Sequence, residues 1–243
     1  RRVVVPTMST RKTPARGPLH DSDRLPGASV VLFDLDGTLA DTVELILRSF
    51  RHTMGTHLGR VPPDQEWLRG LGRPLRDQMA AFASGEEERE RMIATYVAFQ
   101  ERIHDDLVRP FPGAVDALAV LEARGIPLAV VTSKRRAMAR RTLARCGFDG
   151  RLAALVTADD VRRGKPDPEP VRLALQELGG VAPQAALFAG DSPWDVRSGR
   201  AAGVITAGVT WGPYPRRVLE AEGPDFLVES WEELLELPLL NRG

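Results

Sequence analysis

From Ser29 onward the chain alternates short apolar runs with stretches whose apolar residues recur every third or fourth position. Apolar runs at 29–33, 126–132, 152–156, 185–189 and 204–209 predict strands, with a weaker sixth at 225–228. The first, second and fourth are almost wholly apolar, which suits strands covered on both faces of a parallel sheet. Between them, 114–124, 135–145, 170–178 and 194–202 carry helical periodicity, and a glycine follows each within two residues. Strands alternating with helices of this length predict right-handed strand–helix–strand units. The fold class is α/β, a doubly wound, mostly parallel sheet.

One region breaks the alternation. Residues 43–108 offer helical patterns at 43–54, 63–71, 75–83 and 86–106 but no strand, and they end before Pro110-Phe111-Pro112-Gly113. An all-helical domain inserted into an α/β core accounts for this. The predicted organisation is therefore a tail over 1–28, a core over 29–42 and 109–240, and a helical domain over 43–108. In the tail, Arg1, Arg2, Arg11, Lys12 and Arg16 stand among Ser, Thr, Pro and Gly with no acid before Asp21. A segment that buries so little apolar surface is expected to be disordered. Val3 to Val5 is too short for a secretory core, and Pro14 and Pro18 interrupt any amphipathic targeting helix.

Composition narrows the function classes. The 243 residues carry 33 basic and 33 acidic side chains, so no global field attracts nucleic acid and no such partner is expected. No apolar run approaches the roughly 20 residues that cross a bilayer, so no membrane partner is expected. Cys146 is the sole cysteine, which excludes an internal disulfide and a multi-cysteine zinc site and suits a reducing cytoplasm. Oligomeric state is not legible.

In open α/β sheets, ligands bind beyond the carboxyl ends of the strands. There the sequence places Asp34-Leu35-Asp36-Gly37-Thr38 after the first strand and Thr132-Ser133-Lys134 after the second. Gly190-Asp191-Ser192-Pro193-Trp194-Asp195 follows the fourth, and Gly164-Lys165-Pro166 opens a helix. Four converging carboxylates repel one another, and a divalent cation resolves that repulsion. With only oxygen ligands the cation should be hard, and Mg²⁺ tolerates carboxylates together with phosphate oxygens. Lys165 and Thr132 would face an anion held against it, and backbone N–H groups around Gly37 and Thr38 could add donors. This set describes phosphoryl transfer, with Asp34 a candidate nucleophile and Asp36 a candidate acid/base.

In order, DLDGTLADT, VVTSK, GKPDPEP and GDSPWD resemble the four motifs of the haloacid dehalogenase (HAD) superfamily of phosphohydrolases. The resemblance spans roughly residues 30–228, and the helical insert is similar to the cap that closes such active sites. It implies that Asp34 forms an aspartyl phosphate and that Asp36 protonates the leaving oxygen, then deprotonates the hydrolytic water. It implies further that Thr132, Ser133 and Lys165 hold the phosphoryl group. Mg²⁺ would sit on the Asp34 carboxylate, the Asp36 carbonyl and Asp191, supported by Asp195. The acid at Asp36 argues against dehalogenation, because halide needs no proton.

Within the family the chain is most similar to phosphoglycolate phosphatases, so a small phosphorylated metabolite, 2-phosphoglycolate, is the expected substrate. A related inorganic pyrophosphatase and a β-phosphoglucomutase-like enzyme are the alternatives, and a non-catalytic phosphate-binding module is the reading from another class. Arg73, in the cap segment LRGLGRPLRDQM, is a candidate for the substrate's distal charge. Asp41 and Thr42 read as helix caps. His52, His57 and His104 read as packing or surface residues, although His104 could face the cleft. Cys146 reads as a small buried hydrophobe, and Trp211 as packing.

Overall fold

The computed structural model describes residues 27–241. The tail expected at 1–28 falls almost wholly outside the described residues. At its boundary Ala28 is already buried, its N–H donating to Leu239 O at 2.7 Å.

Strand β1 (Val30–Phe33) leads into a two-residue strand β2 (Ala40–Asp41) and then into four helices, α1 (Val43–Leu58), α2 (Asp64–Leu68), α3 (Leu75–Met79) and α4 (Glu86–Leu107). The chain returns through β3 (Arg109–Pro110), antiparallel to β2 with Ala40 opposite Pro110 and Asp41 opposite Arg109. Alternation then resumes as α5 (Ala114–Ala123), β4 (Leu128–Val131), α6 (Arg136–Arg145), β5 (Ala154–Val156) and α7 (Glu169–Glu177). The chain closes with β6 (Ala186–Gly190), α8 (Pro193–Ala202), β7 (Ile205–Val209), α9 (Arg216–Ala221), β8 (Phe226–Val228) and α10 (Trp231–Leu235). Short 3₁₀ turns lie at Pro183–Ala185 and Pro238–Leu240.

The main sheet has six strands in the order β5-β4-β1-β6-β7-β8, and every neighbouring pair is parallel. The fold is thus the α/β fold read from the sequence. Its β1 is central, flanked by β4 and β6, and the four residues of β1 are fully buried as a strand covered on both faces must be. Side chains alternate across it. Val31 and Phe33 pack with Ala117, Leu118 and Leu121 of α5 and Leu143 of α6, whereas Val30 and Leu32 pack with Val171, Ala174 and Leu175 of α7.

The four helices of residues 43–107 carry an apolar cluster of their own, built on Ile46, Phe50, Met54, Trp67, Met79, Met92 and Tyr96. Phe50 stacks on Trp67 at 4.9 Å between ring centres, and Trp67 on Tyr96 at 5.6 Å. The cluster also takes in Tyr214 and Leu219, so the insert leans on the segment after β7. No helix among the described residues is long and apolar enough to cross a membrane.

Candidate active site

The polar clusters lie at the carboxyl ends of β1, β4 and β6, three adjacent strands. Directly after β1, Leu35 O accepts from the N–H groups of Leu39 and Ala40 at 3.0 and 2.9 Å, which curls the chain so that Asp34 and Asp36 stand over the sheet. Gly37 adopts φ +89°, and a Cβ there would lie 2.5 Å from Asp191 Oδ2. Only glycine meets both conditions. The Gly37 and Thr38 N–H groups donate to Ala40 O and Leu35 O within this turn, so they are not the free anion donors expected. The Thr38 hydroxyl instead donates to Asp191 Oδ1 at 2.8 Å.

After β6, Ser192 begins α8 with a reciprocal cap. Its hydroxyl accepts from Asp195 N, and Asp195 Oδ2 accepts from Ser192 N at 3.0 Å. Pro193, in the first turn, has no N–H to leave unpaired. One carboxylate oxygen of Asp195 therefore builds the helix, and the other faces Lys165.

Asp34, Asp191 and Asp195 are buried and offer carboxylate oxygens within 4.8 Å of one another. Lys165, itself 2% exposed, donates to Asp34 Oδ1 at 2.7 Å, Asp195 Oδ1 at 2.6 Å and Val131 O at 3.3 Å. Burial pushes the Asp34 carboxyl up to about 7; Lys165 opposes that rise and Asp195 adds to it. Asp191 is likewise raised well above the ordinary carboxylate value, first by burial and then by Asp34 and Asp195. Burial alone would lower Lys165, but the carboxylates of Asp195 and Asp34 more than offset it, so its ammonium is strongly held. The cluster is short of positive charge and wholly oxygen in its donors, which fits a hard divalent cation.

Asp36 stands apart from this cluster. Its Oδ1 accepts from Thr42 Oγ1 at 2.7 Å and from Lys134 Nζ at 2.5 Å. Thr42 is thus not the helix cap expected: it precedes α1 without capping it, and its hydroxyl is spent on Asp36. Among the described residues Asp36 Oδ2 has no partner. Thr132 is buried with its Oγ1 accepting from Lys134 N at 3.1 Å. Ser133 Oγ donates to Gly72 O at 2.6 Å, bridging core and insert on the edge of the same cavity.

Between insert and core lies a cavity of about 330 Å³. Asp34, Asp36, Thr132, Lys134 and Lys165 line it from the core, and Arg73, Gln78 and Tyr96 from the insert. The Arg73 guanidinium sits over the Trp194 ring at 5.3 Å. Tyr214 donates to Leu71 O at 2.9 Å, holding the same loop of the insert. His104 does not face this cavity: it is fully buried between Asp105 Oδ1 at 2.7 Å and Thr142 Oγ1 at 2.9 Å. Trp211 Nε1 donates to Thr38 O at 3.0 Å, and its ring packs on Trp231. Cys146 is buried and unpaired, its thiol pushed up to about 12 by burial. Sequence reading gave no role to Lys134 or to the Thr38 hydroxyl, although both stand inside the motifs it singled out.

A parallel sheet with acidic loops at its strand ends, closed over by a helical insert, is the architecture of a hydrolase of the phosphatase type. Residues 31–209 match the haloacid dehalogenase-like hydrolase family, and the chain belongs to it. Pyrophosphatase PpaX of Bacillus pumilus is 39% identical over 86% of this chain and 95% of its own length. Pyrophosphatase PpaX of Bacillus velezensis is 38% identical with the same coverage. Among solved structures, a hydrolase from Pseudomonas syringae superposes with a TM-score of 0.77 at 26% identity, over 85% of this chain and 96% of that one.

Proposed function

We propose that this phosphatase is Mg²⁺-dependent, that it works through an aspartyl phosphate on Asp34, and that inorganic pyrophosphate is its substrate. The observation that carries the mechanism is the placement of Asp34 and Asp36 on one cavity with different partners. Asp34 is paired with Lys165 and grouped with Asp191 and Asp195, which suits a nucleophile. Asp36 is outside that group and keeps one oxygen free, which suits an acid/base. A divalent cation bound by Asp34, Asp191 and Asp195 would neutralise charge on nucleophile and phosphoryl oxygens. Lys165 keeps the Asp34 carboxylate aimed, and Thr132, on the same cavity, would supply a donor to a phosphoryl oxygen. Asp36 gives its proton to the leaving oxygen as the bond to phosphorus breaks. It then takes a proton from the water that cleaves the aspartyl phosphate.

The sequence resemblance favours 2-phosphoglycolate, whereas the names of the relatives favour pyrophosphate, and we take pyrophosphate. The test is phosphate release from a panel holding pyrophosphate, 2-phosphoglycolate, sugar phosphates and nucleoside monophosphates. Pyrophosphate should lead, and Asp34→Asn should abolish release from all. Preference for 2-phosphoglycolate would reassign the substrate with the mechanism intact. A phosphorylated enzyme that forms in a burst without net phosphate release would indicate a mutase. For poor leaving groups, Asp36→Asn should cost about 10²–10⁴-fold in kcat.

A further inference from the structure

The site holds two lysines with unequal commitments, Lys165 buried and Lys134 half-buried with its side chain largely covered. An ammonium has three N–H donors. Lys165 spends them on Asp34, Asp195 and Val131 O. Lys134, whose side chain is only 7% exposed, spends one on Asp36 Oδ1, and no other acceptor holds it among the described residues. Both lysines line the same cavity. Lys134 therefore brings a largely dehydrated cation, with donors to spare, to the side of Asp36.

That side is where the leaving group must lie, because the Asp36 proton goes to the leaving oxygen. Lys134 is not needed to orient Asp36, since Thr42 grips the same oxygen at 2.7 Å. From the insert, the Arg73 guanidinium is stacked on Trp194 and has no ion pair among the described residues. One cavity is thus lined by a cation from the core and a cation from the insert.

We propose that Lys134 binds the leaving group directly, with Arg73 from the insert, and that the pair selects leaving groups that are anions. The inference rests on the phosphatase reading above and deepens it by naming the substrate class. As Asp34 oxygen bonds to phosphorus, the electron pair of the breaking P–O bond passes to the leaving oxygen. That oxygen takes the Asp36 proton, and Lys134 holds the negative charge the departing group already carried. A leaving phosphate, from pyrophosphate, and a leaving glycolate, from 2-phosphoglycolate, share this chemistry. A leaving phenol lacks it.

Lys134→Met and Lys134→Arg are compared with wild type on pyrophosphate, 2-phosphoglycolate and phenyl phosphate, with thermal melting to confirm folding. Loss of a charged hydrogen bond should lower kcat/KM of Lys134→Met for the better anionic substrate by about 10–100-fold. Much of that loss should be in KM, it should exceed the loss for phenyl phosphate at least about tenfold, and Lys134→Arg should recover part of it. Whichever of the two anionic substrates shows the effect identifies the source of the charge. Equal losses for all three, confined to kcat, would overturn the proposal and make Lys134 a support for Asp36. No loss would overturn it as well. Calorimetry on Asp34→Asn with Mg²⁺ separates the two claims. Pyrophosphate binding that weakens with Lys134→Met, beside a wild type that hydrolyses nothing, would sink the phosphatase mechanism and keep the anion site. Turnover with binding indifferent to Lys134 would do the reverse.

Discussion

Asp34 carries the sharpest consequence at the scale of a single residue. Its carboxyl is pushed up to about 7 from 3.8, first by burial, so without metal the folded protein binds that proton more tightly than the unfolded chain does. The stability this proton confers is complete below pH 3.8 and is lost as pH rises through about 7. A cation reverses the preference, because it binds the ionised form. Mg²⁺ should therefore raise the melting temperature more at pH 8 than at pH 6, and its apparent affinity should fall as pH drops below about 7, approaching tenfold per pH unit. Melting curves across an Mg²⁺ titration at both pH values check this; equal shifts would mean the cluster is not where the cation binds. Lys165→Met should leave Asp34 and Asp195 without their shared counter-ion, and breaking a buried pair in this way typically costs about 3–5 kcal/mol. Urea unfolding would show it, and added Mg²⁺ should return part of the loss.

Among the elements, helix α4 matters most, because its last turn fastens the insert to the core. His104 bridges to Thr142 on α6, and neighbouring Asp105 pairs with Arg141 of the same helix at 2.9 Å. Burial holds the imidazole below its ordinary 6.5, against the opposing pull of Asp105, so His104 is neutral in the fold. The unfolded chain protonates first as pH falls. The contribution of His104 is thus full above about 6.5 and declines as pH drops towards the lowered folded value. His104→Gln should flatten the stability loss between pH 7.5 and 5.5 in urea unfolding. His104→Ala should cost about 1–3 kcal/mol at neutral pH by leaving Thr142 unpaired.

Periodicity was enough for the sheet strands and the long helices, because each carries its pattern within itself. Apolar Val30–Phe33 and glycine-stopped α8 needed no partner to be recognised. What escaped depends on distant partners. The β2–β3 ribbon is two residues a side and exists only because residue 40 meets residue 110 across the insert. The candidate site divides likewise. Asp34, Asp191 and Asp195 follow strand ends and could be placed together from topology alone. The bond of Ser133 to Gly72 and that of Thr42 to Asp36 depend on how the insert settles on the core, which local pattern does not encode.

For the molecule as a whole, one loop of the insert joins the α4 contact in setting how insert and core meet. Leu71 O and Gly72 O accept from Tyr214 and Ser133, and Gly72 adopts φ +97° against Ser192 and Trp194. A Cβ at Gly72 would lie 2.6 Å from Ser192 Oγ, with no room in either partner's packing. Gly72→Ala should therefore hold the two parts ajar, raising KM severalfold while far-UV dichroism stays that of the wild type. An unchanged KM would show that the loop tolerates displacement without disturbing the cavity.

The β2–β3 ribbon has a consequence for descent. Because the chain leaves the sheet and returns to it side by side, with Asp41 opposite Arg109, the backbone of everything between joins the core at a single narrow stalk. Mutations, duplications or replacements of that intervening stretch need not disturb strand order or the carboxylate cluster. Lineages sharing this core can alter what the insert contributes to the cavity, Arg73, Gln78 and Tyr96 among it, while the carboxylates at the strand ends stay in place.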